Sequence, residues 1–163
     1  MLLRKRAWDI MREEYPAVTE DASLTSVIKA LKESRKEYPD NNFVVVLSKD
    51  RKQFKGVLSM WNIIQAIGPC LLKSMSLGER DVNWDEAFKH ACVTCAQVEI
   101  RNFMQVDVPR INPNEPLARI LEIFLDYRRG RAIVQDGDRI LGVVLLADLY
   151  REISKDATSW EDE

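Results

Sequence analysis

The sequence contains no run of roughly 18 uncharged apolar residues, the minimum for a membrane-crossing helix. Its first residues, Met1-Leu2-Leu3-Arg4-Lys5-Arg6, carry charge without the apolar stretch of a secretion signal. No membrane partner is expected, and a soluble cytoplasmic protein is. Excess charge of one sign is also missing: 24 basic and 26 acidic side chains nearly cancel, so no strong field draws the chain to phosphate backbones, and nucleic acid is not an expected partner. There are only six glycines and one histidine, and no phosphate-cradling Gly-rich loop, nucleophile elbow or metalloprotease helix can be written from them. No catalytic residue is assigned and no enzyme is expected. Three cysteines cannot all pair within one chain, and in a cytoplasmic protein they are expected as reduced thiols.

What the sequence does have is a core-forming share of apolar residues, about half of the 163, and an internal duplication, the feature to seek first because it fixes the architecture. Asp9-Ile10-Met11 aligns with Asn102-Phe103-Met104, Pro16 with Pro109, Val18 with Ile111, Asp21 with Asn114 and Leu24 with Leu117, all at the step that carries Pro16 to Pro109. The register continues into a helix. Leu24, Val27, Ile28 and Leu31 make one apolar stripe in the first copy, and Leu117, Ile120, Leu121 and Phe124 make the same stripe in the second. Asp21 and Asn114 stand just before these stripes and are expected to cap them.

Each helix is followed by two short β-branched runs, Phe43–Leu47 then Gly56–Leu58, and Ala132–Val134 then Ile140–Val144, which read as antiparallel strand pairs. Asp136-Gly137-Asp138 holds a hairpin dipeptide. Gly56 matches Gly142 at a shorter step, so the second copy has lost residues around the charged stretch Lys32 to Asn42, where a loop absorbs the change. A closing helix follows, marked by Ile63, Ile64, Ile67 and Leu71 and by Leu149 and Ile153. The predicted order per copy is strand, helix, strand, strand, helix.

Between the copies, Asn83 is placed to cap a helix with Trp84, Ala87, Phe88, Ala91 and Cys95 on one side, expected to pack on the pair. Within it, His90-Ala91-Cys92-Val93-Thr94-Cys95 raises a metal or redox site. A zinc site needs four ligands, the only other cysteine is Cys70, and packing of Cys92 and Cys95 as small hydrophobes is the simpler account, so no metal residues are assigned. His90 is expected to be exposed or satisfied. Trp61 and Trp84 are expected as core or interface anchors, and the tail Ser159–Glu163 as a frayed end.

The repeated order, the Asp-Ile-Met and Asn-Phe-Met segments, and a Gly-apolar-apolar-x-x-x-Asp/Asn strand-to-helix junction together resemble tandem cystathionine-β-synthase-type (CBS) domains over roughly Trp8 to Ile153. The resemblance implies an α/β (α+β) fold of two β-α-β-β-α units related by a pseudo-twofold, with a connecting helix. The sheets would pack face to face and leave clefts in which many members bind AMP, ATP or S-adenosylmethionine. The usual junction is Gly-x-x-Thr/Ser-x-x-Asp: its hydroxyl and helix N–H groups can hold phosphate, and its carboxylate can accept from ribose hydroxyls. Here Gly56-Val57-Leu58-Ser59-Met60-Trp61-Asn62 keeps the hydroxyl and loses the carboxylate, while Gly142-Val143-Val144-Leu145-Leu146-Ala147-Asp148 keeps the carboxylate and loses the hydroxyl. Family precedent adds contacts from Val18, Thr19 and Val44 in the first copy and Ile111, Asn112 and Ala132 in the second, with Arg131 beside the last as a cation for an anionic ligand. The alternative for Asp148 is a helix cap, and for Arg131 a surface charge.

The expected organisation is a first CBS domain over 1–75, a connecting helical segment over 76–100, a second CBS domain over 101–157 and a tail over 158–163. The expected function is a regulatory, ligand-sensing module holding an adenosine-containing small molecule in the cleft between the units. It would require no cofactor, with AMP, ADP, ATP or S-adenosylmethionine as regulatory ligand. The alternative is a dimerisation scaffold that binds nothing. A homodimer is expected on either reading, and an unidentified effector protein on the first.

Overall fold

The computed structural model describes residues 4–75 and 83–157; the expected tail at 158–163 lies outside them. In the first repeat the elements are β1 (Ala17–Thr19), α2 (Leu24–Glu37), β2 (Phe43–Leu47), β3 (Phe54–Ser59) and α3 (Met60–Met75), preceded by a short helix, α1 (Ala7–Ile10). The connecting helix is α4 (Trp84–Cys95), followed by a 3-10 turn at Ile100–Asn102. The second repeat gives β4 (Arg110–Ile111), α5 (Leu117–Tyr127), β5 (Arg131–Asp136), β6 (Arg139–Leu145) and α6 (Leu146–Asp156). Both repeats thus carry the order read from the sequence.

Each repeat forms a three-stranded sheet, β1-β2-β3 and β4-β5-β6. In both, the first strand pairs parallel with the second and the second antiparallel with the third. The parallel pair needs a crossover, which α2 and α5 supply. The hairpins explain themselves locally: Gly137 takes φ +60 in the second, and in the first Arg51 accepts φ 62. β2 is buried at every position, which suits its unbroken apolar run.

The compact units cut across the order of the repeats. Residues up to Tyr15 join those from Asp107 on as unit 1, and Pro16–Val106 form unit 2. In unit 1 the leading segment is laid on the second repeat: Ala7 N–H donates to the Glu115 carbonyl (2.9 Å), and Arg12 and Val143 exchange backbone bonds of 2.8 and 3.0 Å. In unit 2 the segment after α4 does the same, Gln105 and Val57 exchanging bonds of 2.8 and 2.9 Å. We call these segments straps. They explain why the matched positions are glycine: a Cβ on Gly56 would lie 2.5 Å from the Gln105 carbonyl oxygen, and one on Gly142 2.6 Å from that of Arg12.

Each unit has its own core. In unit 2 it joins Leu24, Val27 and Leu31 of α2 to Val44, Val46, Leu58, Ile63, Cys95 and Ile100. In unit 1 it joins Leu117, Ile120 and Phe124 of α5 to Ala132, Val134, Val144 and Leu149, closed by Ala7 and Ile10 of the strap. Ile28 and Leu121, the third members of the stripes, are exposed.

Three expectations are corrected. The caps are not Asp21 and Asn114: Ser23 caps α2, accepting from Ser26 N–H at 3.2 Å, and α5 starts after Pro116 without a side-chain cap. Asp21 instead accepts from the Thr19 hydroxyl, which lowers its pKa, and the Asn114 N–H donates to Asn112 Oδ1 at 2.9 Å. An oxygen-bearing residue two or three places ahead of an apolar stripe is as well suited to a turn as to a cap. The cysteines are not all reduced: Cys70 and Cys95 form a disulfide between α3 and α4, and Cys92 is the free thiol. Of the α4 stripe only Ala91 and Cys95 reach the core, Trp84 and Phe88 being exposed; Trp61 on α3 is exposed as well, so neither tryptophan is a core anchor and the interface alternative is left. His90 is exposed.

Candidate functional site

The two strand-to-helix junctions are built alike and filled differently. In unit 2, β3 runs straight into α3, so the first turn of that helix has exposed N–H groups to satisfy. Ser59 and Asn62 do so reciprocally. The Ser59 N–H and hydroxyl both donate to Asn62 Oδ1 at 2.8 Å, the Asn62 N–H donates to Ser59 Oγ at 3.2 Å, and Asn62 Nδ2 donates to Gln65 Oε1 at 3.1 Å. Both residues are 3% exposed. The site is neutral, and Val44, at the start of β2, lies against it through its pairing with Leu58.

In unit 1, β6 runs into α6 and Asp148 takes the place of Asn62. The Leu145 N–H donates to its Oδ2 at 2.9 Å, which closes the first turn as a cap. Its Oδ1 accepts from Arg12 Nε at 3.0 Å and Nη2 at 2.9 Å, with Arg151 Nη1 at 3.3 Å. Asp148 is 2% exposed and the Arg12 side chain 11%, so this is a buried ion pair. Asp148 is therefore a cap and the anchor of the strap. Among the described residues Oδ2 accepts from Leu145 alone. Leu145 brings no hydroxyl. Arg131 opens β5 opposite Leu145, half-buried; burial, then the charge of Arg129, pushes its pKa below the ordinary arginine value. It is thus not simply a surface charge.

The register decides which expected residues share a place. Ser59, Asn62 and Val44 stand at one end of the first sheet, and Asp148, Arg131 and Ala132 at the same end of the second. Val18 and Thr19 pair with Val46 and Leu47, and Ile111 with Val134, two to three residues further along, or about 7–10 Å at the rise of a strand. Asn112 is exposed beyond β4, and Thr19's hydroxyl is engaged with Asp21. The residues missed from sequence are those of the straps. Arg12 aligns with Gln105 at the same step as Pro16 with Pro109, and the arginine occurs where the junction has an aspartate, the glutamine where it has an asparagine. Gln105 Oε1 is buried with no hydrogen-bond donor among the described residues. The Cys92-x-x-Cys95 constellation loses Cys95 to Cys70, and among the described residues no cluster of three or more His, Cys, Asp or Glu is placed to hold a metal. No described helix is long and apolar enough to cross a membrane.

The sequence matches the CBS domain family over residues 7–69 and 100–155. The chain belongs to the CBS-domain family. No curated protein matches it, but solved structures share its fold. The CBS domain pair of protein MJ0100, solved with 5′-methylthioadenosine and S-adenosyl-L-methionine, superposes with a TM-score of 0.67 at 15% identity, covering 93% of this chain and 98% of that one. The cytosolic domain of the Mg2+ channel MgtE, solved with ATP, gives 0.64 at 17% identity, over 91% of this chain and 49% of that one. Protein MJ1004 of Methanocaldococcus jannaschii gives 0.65 at 14% identity over 93% of this chain, which spans 60% of that protein's length. This CBS pair thus shares the fold of proteins solved with adenosyl ligands, while its junctions have their own chemistry.

Proposed function

We propose that this CBS pair is a regulatory module that binds an adenosine-containing ligand at its strand-to-helix junctions. The carrying observation is that buried polar groups are retained at both junctions: Ser59 and Asn62 in one, Asp148 in the other. Buried polar groups cost free energy unless they are bonded; here they bond the first turns of α3 and α6 and set the chemistry that each junction offers a ligand. The neutral amide and hydroxyl suit a nucleoside, and Arg131 suits an anionic group near Asp148. MJ0100 and MgtE supply the ligand class by analogy of fold. A ligand acts here by binding one arrangement of the protein better than another.

Calorimetric titration with AMP, ADP, ATP and S-adenosylmethionine tests the proposal. Saturable binding of at least one, weakened by Asn62→Ala or by Arg131→Gln in protein of unchanged circular dichroism, supports it. Four flat titrations overturn it for these ligands. Asp148→Ala is a poor probe, because it also removes the partner of Arg12.

The reading as a dimerisation scaffold is favoured by a different observation, the exposed Trp61 and Ile64 on α3 and Leu146 and Tyr150 on α6. Sedimentation velocity separates it: a homodimer broken by Trp61→Asp or Tyr150→Asp, together with flat titrations, supports the scaffold.

A further inference from the structure

The junctions leave the Cys92-Val93-Thr94-Cys95 spacing without a role, yet the fold brings all three cysteines of the chain to one place. Cys70, in the closing turns of α3, is bonded to Cys95, the last residue of α4, and the free Cys92 stands one turn before Cys95 on the same helix. Residues three apart on a helix have Cβ atoms about 5–6 Å apart, and a disulfide needs about 3.5–4.5 Å. The end of α4 is where that gap closes most readily. The Ala96 N–H donates to the Val93 carbonyl at 3.3 Å, the tighter spacing of a 3-10 turn, which brings side chains three apart into line.

Burial divides the roles. Cys95 is fully buried, out of reach of a small thiol in solvent, whereas Cys92 is partly exposed and reachable. The place of Cys95 suits a reduced thiol as well as a bonded one: the Ala66 carbonyl oxygen lies 3.2 Å from its Sγ, an acceptor for the S–H, and Leu24, Ile63 and Ala66 pack around it as around any small apolar side chain. At the step from Gly56 to Gly142, Cys70 falls on Asp156, so the second repeat has no such bond.

We propose that the three cysteines form a thiol–disulfide exchange site, in which Cys92 passes the Cys95 bond to and from Cys70 with a low-molecular-weight thiol as co-reactant. In opening, the Cys92 thiolate, its proton given to water, attacks Cys95 Sγ. The Cys92–Cys95 bond forms, the Cys70–Cys95 bond breaks, and its electron pair leaves on Cys70, which takes a proton from water. One small thiolate then attacks Cys92 Sγ and releases Cys95; a second attacks the sulfur it added, freeing Cys92 as the small disulfide departs. Two electrons have passed from two small thiols to the protein, which holds three thiols. Closing is the reverse, with the small disulfide as oxidant. The exchange turns a bond between two helices into one within a helix, and so releases α4 from α3 at the root of the unit 2 strap, where the Val98 N–H donates to the Cys95 carbonyl at 3.1 Å. It requires no ligand at the junctions.

The test uses the 163-residue protein with oxidised glutathione as the probe. Reduced Cys70→Ser protein, oxidised and then alkylated, should show a Cys92–Cys95 disulfide by mass spectrometry. In a time course quenched with N-ethylmaleimide, formation of the Cys70–Cys95 bond should be at least about tenfold faster in the wild type than in Cys92→Ser, which keeps only the route through Cys70. Cys92 is partly exposed and its serine variant should keep the wild-type circular dichroism, so the rate comparison stays decisive should Cys70→Ser unfold. Closure at equal rates with and without Cys92 overturns the proposal. Folded Cys70→Ser protein carrying only glutathione adducts, or Cys92 bonded only between two chains, overturns it as well.

Discussion

Changing Asp148 to asparagine writes into unit 1 the residue that unit 2 carries at position 62. The amide oxygen can still accept from the Leu145 N–H, so the cap survives. The loss falls on Arg12, whose side chain is 11% exposed and whose Nε and Nη2 both reach Asp148 Oδ1. Removing one partner of a buried pair costs about 3–5 kcal/mol. We expect about 3 kcal/mol, the low end, since Arg12 keeps some contact with water. Arg12→Gln should cost about 3 kcal/mol, because it leaves Asp148 only Arg151, whose side chain is half exposed. The double change copies the Gln105 and Asn62 of unit 2. It leaves no buried charge, and should cost about 3 kcal/mol rather than the additive 6, a coupling at the upper end of what neighbouring residues show. Urea unfolding followed by far-ultraviolet circular dichroism measures all three, with equal denaturant slopes as the check that the unfolded states match. Hydrogen exchange at the Val143 N–H, bonded to the Arg12 carbonyl at 3.0 Å, should accelerate in each single variant. Additive costs, or single costs below about 0.5 kcal/mol, would refute the claim that this pair anchors the strap.

Reducing the Cys70–Cys95 disulfide, which spans a sequence separation of 25, should lower stability by about 3 kcal/mol, read as a fall in melting temperature on adding a phosphine reductant. Alkylation of the unreduced protein followed by mass spectrometry should mark Cys92 alone; three marked cysteines would contradict the pairing. Burial of Glu152 by itself raises its pKa, but hydrogen bonds from Lys5 and Lys155 hold it below the ordinary glutamate value. Its stabilising contribution is therefore complete above the unfolded-state pKa, about 4.3, and is lost as pH falls through the lower, folded-state value. Glu152→Gln should flatten that acid limb of a stability-against-pH curve, and an unchanged limb would contradict the assignment. Gly56→Ala and Gly142→Ala should each destabilise by more than 1 kcal/mol, roughly, because the added carbon meets strap backbone. Gly68→Ala, with nothing within 4 Å, should stabilise α3 by about 0.5–1 kcal/mol in the same melts.

The duplication was legible because it is written in local patterns. Helical stripes, β-branched runs and a shared glycine are each set by the chain's own period, and they gave the element order without knowledge of contacts. The helix caps were less legible, since Asp21, Ser23 and Asn114 all offer an oxygen near a helix start and only backbone geometry selects among them. The pairing of Cys95 with Cys70 rather than any use with Cys92 depends on α4 folding back along α3, which no spacing encodes. Similarly, Trp61 stands on the face of α3 away from buried Asn62, Ile63 and Ala66, and Trp84 and Phe88 precede the Ala91 and Cys95 that reach the core, which composition does not tell.

The half-equipped junctions have the same cause. Read along one repeat, Asn62 and Asp148 look like two incomplete copies of one motif. Their partners lie in the straps, and each strap crosses to the repeat it does not precede: Arg12, leading the first repeat, is laid on the second, and Gln105, leading the second, on the first. The sequence neighbour of each junction is thus the wrong residue to compare it with. Once Arg12 is set beside Asp148 and Gln105 beside the Asn62 repeat, charge goes with charge and amide with amide. The carboxylate that a family motif would assign to ribose is, in this chain, held first by its own guanidinium. A ligand that uses Asp148 must then bond Oδ2 beside the Leu145 N–H or displace Arg151 or Arg12 from Oδ1, and loss of Arg12 would loosen the strap at Val143, where exchange of the backbone amide reports it directly.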